Sequence, residues 1–241
     1  MKIGIIVCDI VDPVLSSEFG EFADMIQQGL APFSQHDYLL FNAMKDELPQ
    51  TDDGCDAYII TGSTYDAYAD LPWINALAAW IRKCDMQHKP LLGICFGHQI
   101  IALALGGRVE KSSKGWGVGL SSDNKINIQL PWMKPEKSAL ELLVFHQDQV
   151  ISLPSSMKAI VSSEFCPNYM LTKGKHILTV QGHPEFTVDF ERCLLGKMRE
   201  AIGDEHYIPA ISSLNSAPDS SLVMRWFCNF LNEYEPRLHQ N

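Results

Sequence analysis

The chain has 241 residues, of which 46% are hydrophobic and 20% charged, and a formal net charge of −10. That composition suits one globular α/β domain spanning residues 1–241, and the acidic balance argues against a nucleic-acid partner, which needs a basic surface. Seven cysteines at 8, 55, 84, 95, 166, 193 and 228 are odd in number and form no C-x-x-C pair. This excludes a disulfide framework and a zinc site, and predicts a reducing, cytoplasmic setting with no metal or cofactor.

The opening MKIGIIVCDI meets Asp9 and Asp12 too early for a signal peptide, and no later stretch approaches the ~20 apolar residues of a membrane-spanning helix. Lys2 to Cys8 instead predicts a buried first strand, followed by a loop from Asp9 to Ser17. Ser16 or Ser17 is expected to cap a helix carrying Phe19, Phe22, Met25 and Ile26. Tyr38–Ala43 and Asp56–Ile60 predict the second and third strands, the third ending in Thr61-Gly62-Ser63. Pro72 to Cys84 is amphipathic, with Trp73, Leu77, Trp80 and Ile81 on one helical stripe.

Leu91, Leu92 and Ile94 form the short apolar run of a buried strand. A G-x-C-x-G frame, Gly93 to Gly97, leads into Ile100, Ile101, Leu103, Ala104 and Leu105 at helical spacing. Gly106-Gly107 ends that helix, since glycine takes the left-handed C-terminal position without a Cβ clash. Strands alternating with helices predict a parallel-rich central sheet flanked by helices. Catalytic loops then lie at the carboxyl ends of the strands, where Gly62, Cys95 and His183 all fall.

Val109 to Leu130 is less regular, with a β-like stretch from Gly115 through Ile128. Its glycines lack the G-K-[ST] of a phosphate loop and read as turns before a hairpin. Leu140–Val144, Ala159–Val161 and Lys175–Val180 predict further strands, Asp189–Ala201 a helix, and Tyr207–Asp219 a loop. Ser220 or Ser221 is expected to cap a last helix with Leu222, Trp226, Phe227 and Phe230 on its apolar stripe, either packed on the core or facing a second copy in a homodimer.

Strand, sharp turn and helix around Cys95 is the geometry of a nucleophile elbow with a thiol as the attacking group. It presents the sulfur at a helix N-terminus, where the dipole favours the thiolate. A second stretch, Gln181 to Phe186, supplies His183 as base and Glu185 to orient it, since residues i and i+2 of an extended segment point to one side. His98 competes as base but lies a turn along the helix, and is expected to pack locally. The Phe96 amide, beside the nucleophile, is one expected oxyanion donor.

GICFGHQ at 93–99, QGHPEF at 181–186, ITGSTYDAY at 60–68 and FHQDQV at 145–150 resemble the class I glutamine amidotransferases, in the form of the GMP synthetase glutaminase. The motifs lie within residues 1–190, leaving 191–241 as a helical extension. The resemblance implies a flavodoxin-like fold with a nucleophile elbow. It implies a second oxyanion donor at Ser63, where the family usually has a glycine pair and this chain has Gly62-Ser63. It places substrate contacts on Gly62, Gln99, Phe145, His146, Gln147 and Asp148, with Gln147 departing from the usual glycine.

The reaction implied is hydrolysis of the glutamine side-chain amide through a Cys-His-Glu triad and a thioester. No acceptor-activating motif or second catalytic domain is visible, so ammonia would pass to a separate synthase. The alternatives are a freestanding γ-glutamyl peptidase or a non-catalytic binding protein on the same fold.

Overall fold

A computed structural model describes residues 1–50 and 53–234. β1 (Lys2–Val7) pairs in parallel with β2 (Asp37–Asn42) on one side and β3 (Ala57–Ile60) on the other. β4 (Leu91–Ile94) lies parallel between β3 and β11 (Ile177–Val180). Beyond β11 the sheet turns antiparallel through β10 (Met170–Lys173), β9 (Lys158–Ser162), β6 (Gly117–Ile126) and β7 (Ala139–His146). The nine-stranded order is β2-β1-β3-β4-β11-β10-β9-β6-β7. β5 (Arg108–Lys111) and β8 (Asp148–Ser152) form a separate antiparallel pair.

β3, β4 and β11 are buried at every position. That is why they read as unbroken apolar runs: helices cover both sheet faces. Ile3, Ile5, Ile59, Leu92 and Ile94 face one core, packed against α2 (Phe22–Leu30) and α7 (Ser220–Glu233). Ile6, Tyr58, Ile60 and Leu91 face the other, against α3 (Pro72–Met86) and α4 (Phe96–Ala104). A third cluster joins Phe186 and Leu143 to α5 (Val188–Ile202) and α6 (Asp204–Ser213). α7 is a packing helix: Trp226, Phe227 and Phe230 are buried, each worth about 1.5–3 kcal/mol or more of burial.

The structure corrects four local expectations. Ser16 and Ser17 cap nothing, because they lie inside a separate helix, α1 (Pro13–Phe19), which Asp12 caps with Pro13 in its first turn. Gly20, at φ 82°, breaks the chain before α2, and Glu21 and Asp24 close a reciprocal capping box there. Ser220 and Ser221 likewise fall in the first turn of α7; the cap position belongs to Asp219, whose carboxylate accepts the Glu141 N–H at 2.9 Å.

Residues 207–213 are helical in α6 despite Pro209. Packing overrides the proline: Ser213 Oγ accepts the Leu120 N–H of β6 at 2.9 Å. Gly119, at φ 80°, lets that strand approach so closely that a Cβ would lie 2.8 Å from Ala210 Cα. β8 and β10, short and partly polar, are strands that no apolar run announced.

Candidate active site

β4 passes into α4 through one residue, Cys95, at φ 51° and ψ −101°. A non-glycine residue there carries about 1–3 kcal/mol of strain, so its neighbours must hold it. Cys95 N–H donates to Val180 O at 2.9 Å, and Gly97 N–H to Thr61 O at 3.2 Å. The glycine frame is a matter of space. A Cβ on Gly93 would sit 2.6 Å from Gly97 O, and one on Gly97 2.4 Å from Ile60 O. Phe96 opens α4, so its N–H has no partner one turn back within the helix.

His183 and Glu185 follow β11, the strand beside β4, and so arrive next to the sulfur. His183 Nδ1 lies 2.7 Å from Glu185 Oε1, with both residues buried. This leaves the other ring nitrogen, Nε2, for Cys95, whose sulfur acts on the charge of the imidazole. Burial pulls the ring toward neutrality, but the charges of Glu185 and of the Cys95 sulfur reverse this and hold it well above the ordinary histidine range. Phe186 stacks on the imidazole, ring centroids 4.0 Å apart and planes 10° apart.

The loop after β3 closes over the pair. A Cβ on Gly62 would lie 3.0 Å from His183 Cε1 and 3.8 Å from Cys95 Cβ, so Gly62 borders both. Ser63 follows, its hydroxyl accepting the Tyr65 N–H at 3.1 Å. Asp9, which in the sequence speaks only against a signal peptide, anchors this loop through Thr64 N (2.7 Å) and Thr64 Oγ1 (2.6 Å).

Gln99 comes off the second turn of α4, and its Nε2 donates to Asp148 O (2.9 Å) and to Gln181 Oε1 (3.2 Å). Gln181 Nε2 lies 3.6 Å from Cys95 Sγ. Gln181 stands in the histidine motif, but the sequence alone assigns it no role. Glu185 reaches His183 through a turn and not along the extended segment expected, since Pro184 and Glu185 lie in a turn where the Phe186 N–H donates to His183 O at 3.3 Å, and no periodicity of the sequence marks Gln181.

The 145–148 segment is already much engaged by the protein. Phe145 and His146 pair with Val118 and Gly117 in the sheet, and Gln147 O accepts the Ser112 N–H at 2.9 Å. His146 is buried with Nδ1 3.0 Å from Asp148 O, and burial pulls its pKa down to about 4. The Asp148 carboxyl is raised by partial burial and the nearby Asp66 charge.

His98 does pack locally: it is fully buried, with Nδ1 2.8 Å from Thr179 Oγ1 and a pKa pulled down to about 3 by burial. Glu191 of α5 has no signal in the sequence; burial lifts it to about 8, and its Oε1 accepts the Gly119 N–H at 3.1 Å. Among the described residues no cluster of His, Cys, Asp and Glu is set to hold a metal ion.

Residues 22–193 match the family model described as glutamine amidotransferase class-I. The chain belongs to the class I glutamine amidotransferase family and is an enzyme of the amide hydrolase type. It is 33% identical over 211 residues to gamma-glutamyl peptidase 3 of Arabidopsis thaliana, covering 80% of this chain and 81% of that one. It is 31% identical over 193 residues to a glutamine-hydrolyzing GMP synthase of Dehalococcoides mccartyi, covering 69% of this chain but 35% of that longer protein. A glutamine amidotransferase from Methylobacillus flagellatus shares the fold, with TM-score 0.73 at 19% identity, over 100% of this chain and 98% of that one. No described helix is long and apolar enough to cross a membrane.

Proposed function

We propose that the chain is a cysteine hydrolase of γ-glutamyl amides, acting through Cys95, His183 and Glu185. The observation that carries this is the strained Cys95 at the head of α4, facing a buried imidazole whose far nitrogen is held by Glu185 at 2.7 Å. His183 Nε2 takes the thiol proton, and Sγ attacks the γ-carbonyl carbon. The oxyanion meets the N–H groups of Phe96 and Ser63, each worth roughly 3–4 kcal/mol in the transition state. Nε2 returns its proton to the departing amine, leaving a thioester. A water then gives its proton to Nε2 and attacks the thioester, and the C–S bond breaks to release a γ-carboxylate.

Glu185 orients the imidazole and stabilises its charged form throughout. Gly62, Gln99 and the 145–148 segment border the place where the glutamyl end would lie. Gln99 has both amide N–H groups engaged, so Oε1 is the atom it offers a substrate ammonium.

The departing amine distinguishes two substrates. The match to a γ-glutamyl peptidase over about four fifths of both chains supports a γ-glutamyl peptide, whose leaving group is an amino acid. The match to part of a GMP synthase supports free glutamine, with ammonia passed to a separate synthase. Of the two, coverage of both chains favours the peptide. Residues 1–241 act as one catalytic domain, and seven free cysteines suit a reducing compartment such as the cytoplasm.

Purified protein assayed against glutamine and a panel of γ-glutamyl peptides tests this. Cys95→Ala should abolish turnover, His183→Asn should approach it, and Glu185→Gln should keep measurable activity. Wild-type turnover in Cys95→Ala, or a greater loss in Glu185→Gln than in His183→Asn, would contradict the roles.

A further inference from the structure

Gln181 is fully buried, and one end of its amide faces the Cys95 sulfur at 3.6 Å. A primary amide has a donor end and an acceptor end of nearly equal size, so the network must decide which end that is. The decision begins at Asp148 O, a main-chain carbonyl that can only accept. It takes 2.9 Å from Gln99 Nε2, which fixes the Gln99 amide with its NH2 on that side. The second N–H of the same nitrogen points to Gln181, 3.2 Å from Oε1. Gln181 therefore gives its oxygen to Gln99 and its NH2 to the sulfur. One carbonyl sets two amides in turn, and the second donates to Sγ.

We infer that Gln181 is a further catalytic residue: its Nε2–H holds the Cys95 sulfur as thiolate and receives it again when the thioester breaks. This rests on Cys95 being the nucleophile. A hydrogen bond to the charged form of a group favours that form. His183 balances the sulfur charge as an ion, while Gln181 does so as a neutral dipole that does not change with protonation. During attack, charge leaves sulfur for the oxyanion and the Nε2–H bond weakens. In the last step the C–S electron pair returns to sulfur, and a donor already in position lowers the cost of that charge. The two donors also aim the sulfur. Residues 181, 183 and 185 thus send a donor, a base and its carboxylate to one place from the short bend and turn that follow β11.

Alkylation of Cys95 by iodoacetamide, followed by peptide mapping across a range of pH, reads the thiolate without any substrate. Gln181→Met keeps the side-chain length and removes the N–H. It is expected to move the alkylation midpoint up by about one pH unit, roughly tenfold slower labelling on the acid side. Gln99→Met leaves Gln181 in place but frees its amide to turn, and should move the midpoint in the same direction by less. It carries the test if thermal melting shows that Gln181→Met does not fold. Labelling of the exposed Cys193 is the internal control and should not change. An unmoved Cys95 midpoint in the folded variant overturns the inference and leaves Gln181 a packing residue. If wild-type Cys95 labels no faster than Cys193, the nucleophile reading itself falls, a result seen in the unmutated protein and so distinct from the first.

Discussion

Asp9 Oδ2 accepts two hydrogen bonds from Thr64, one from its main-chain N–H at 2.7 Å and one from its hydroxyl at 2.6 Å. The link ties the loop after β1 to the loop after β3, two strands that lie side by side in the sheet. Ser63 sits between that anchor and Gly62. Its hydroxyl is also 3.5 Å from the same carboxylate oxygen. A main-chain donor aimed at a developing charge is useful only if it does not have to move when the charge appears. Asp9 is therefore placed to keep still the Ser63 amide, the oxyanion donor proposed above.

Asp9→Ala should lower kcat by about tenfold or more while changing KM less, since an oxyanion donor acts mainly in the transition state. Asp9→Asn should be milder, because its amide oxygen can stand where Oδ2 stands and accept both Thr64 bonds, losing only the acceptor of the Ile10 N–H on the other side. Steady-state kinetics with a thermal melt beside them separate a displaced loop from a loosened fold. An unchanged kcat in Asp9→Ala would show that the loop holds its own shape.

The glycines offer a paired test of packing. Gly97→Ala would put a methyl 2.4 Å from Ile60 O, a main-chain atom of a central strand that cannot swing aside. The cost should exceed about 3 kcal/mol, read as a large drop in melting temperature or failure to fold. Gly196, inside α5, has open space where a Cβ would point, with nothing within 4 Å of that position. Gly196→Ala should stabilise the protein by about 0.5–1 kcal/mol through helix propensity alone. Equal effects of the two changes would contradict this reading of the elbow.

The parallel half of the sheet is legible in the sequence because β3, β4 and β11 are buried on both faces and can hardly avoid apolar runs. The turn at Cys95 and the meeting of His183 with Glu185 are legible because each spacing is local: two glycines frame the turn, and two positions separate the histidine from the carboxylate. What depends on contacts distant in the chain is not legible. Thr64 lies 55 residues from Asp9, and Gln181 is 86 from Cys95. No local pattern marks a carboxylate that anchors a loop or an amide whose orientation a remote carbonyl decides. α6 escapes the sequence for a related reason, since Pro209 argues locally for a loop while Ser213 and Ala210 are held by β6.

Two buried histidines should make the fold sensitive to acid. Burial pulls His98 to about 3 and His146 to about 4, against 6.5 for the free side chain. Between those limits the unfolded chain binds more protons than the folded one. Stability is therefore intact above the unfolded value and falls as pH drops toward the folded values. The steepest loss is about 1.4 kcal/mol per pH unit for each histidine. His98→Gln can keep a bond to Thr179 and has no proton to take up. Its melting temperature should fall less steeply than that of wild type between pH ~6.5 and ~4.5. Parallel slopes would show that His98 does not contribute to the acid transition.

The final prediction concerns Ser63, where this chain carries a side chain in place of the second glycine of its family. The hydroxyl accepts the Tyr65 N–H, so it helps shape the loop without being needed for the donor. Ser63→Ala should accordingly change turnover by less than about tenfold, or ~1.4 kcal/mol. Ser63→Pro removes the N–H itself and should cost roughly a hundredfold or more, as loss of one oxyanion donor does. The loss should fall on kcat, because the donor meets charge that appears only as the sulfur attacks. Proline also restricts the loop backbone, so Ser63→Pro is read beside Thr64→Pro, which breaks the Asp9 link and leaves the Ser63 amide in place. If the amide is the donor, Ser63→Pro falls below Thr64→Pro at equal melting temperature. Full activity in a folded Ser63→Pro protein would place the second donor elsewhere.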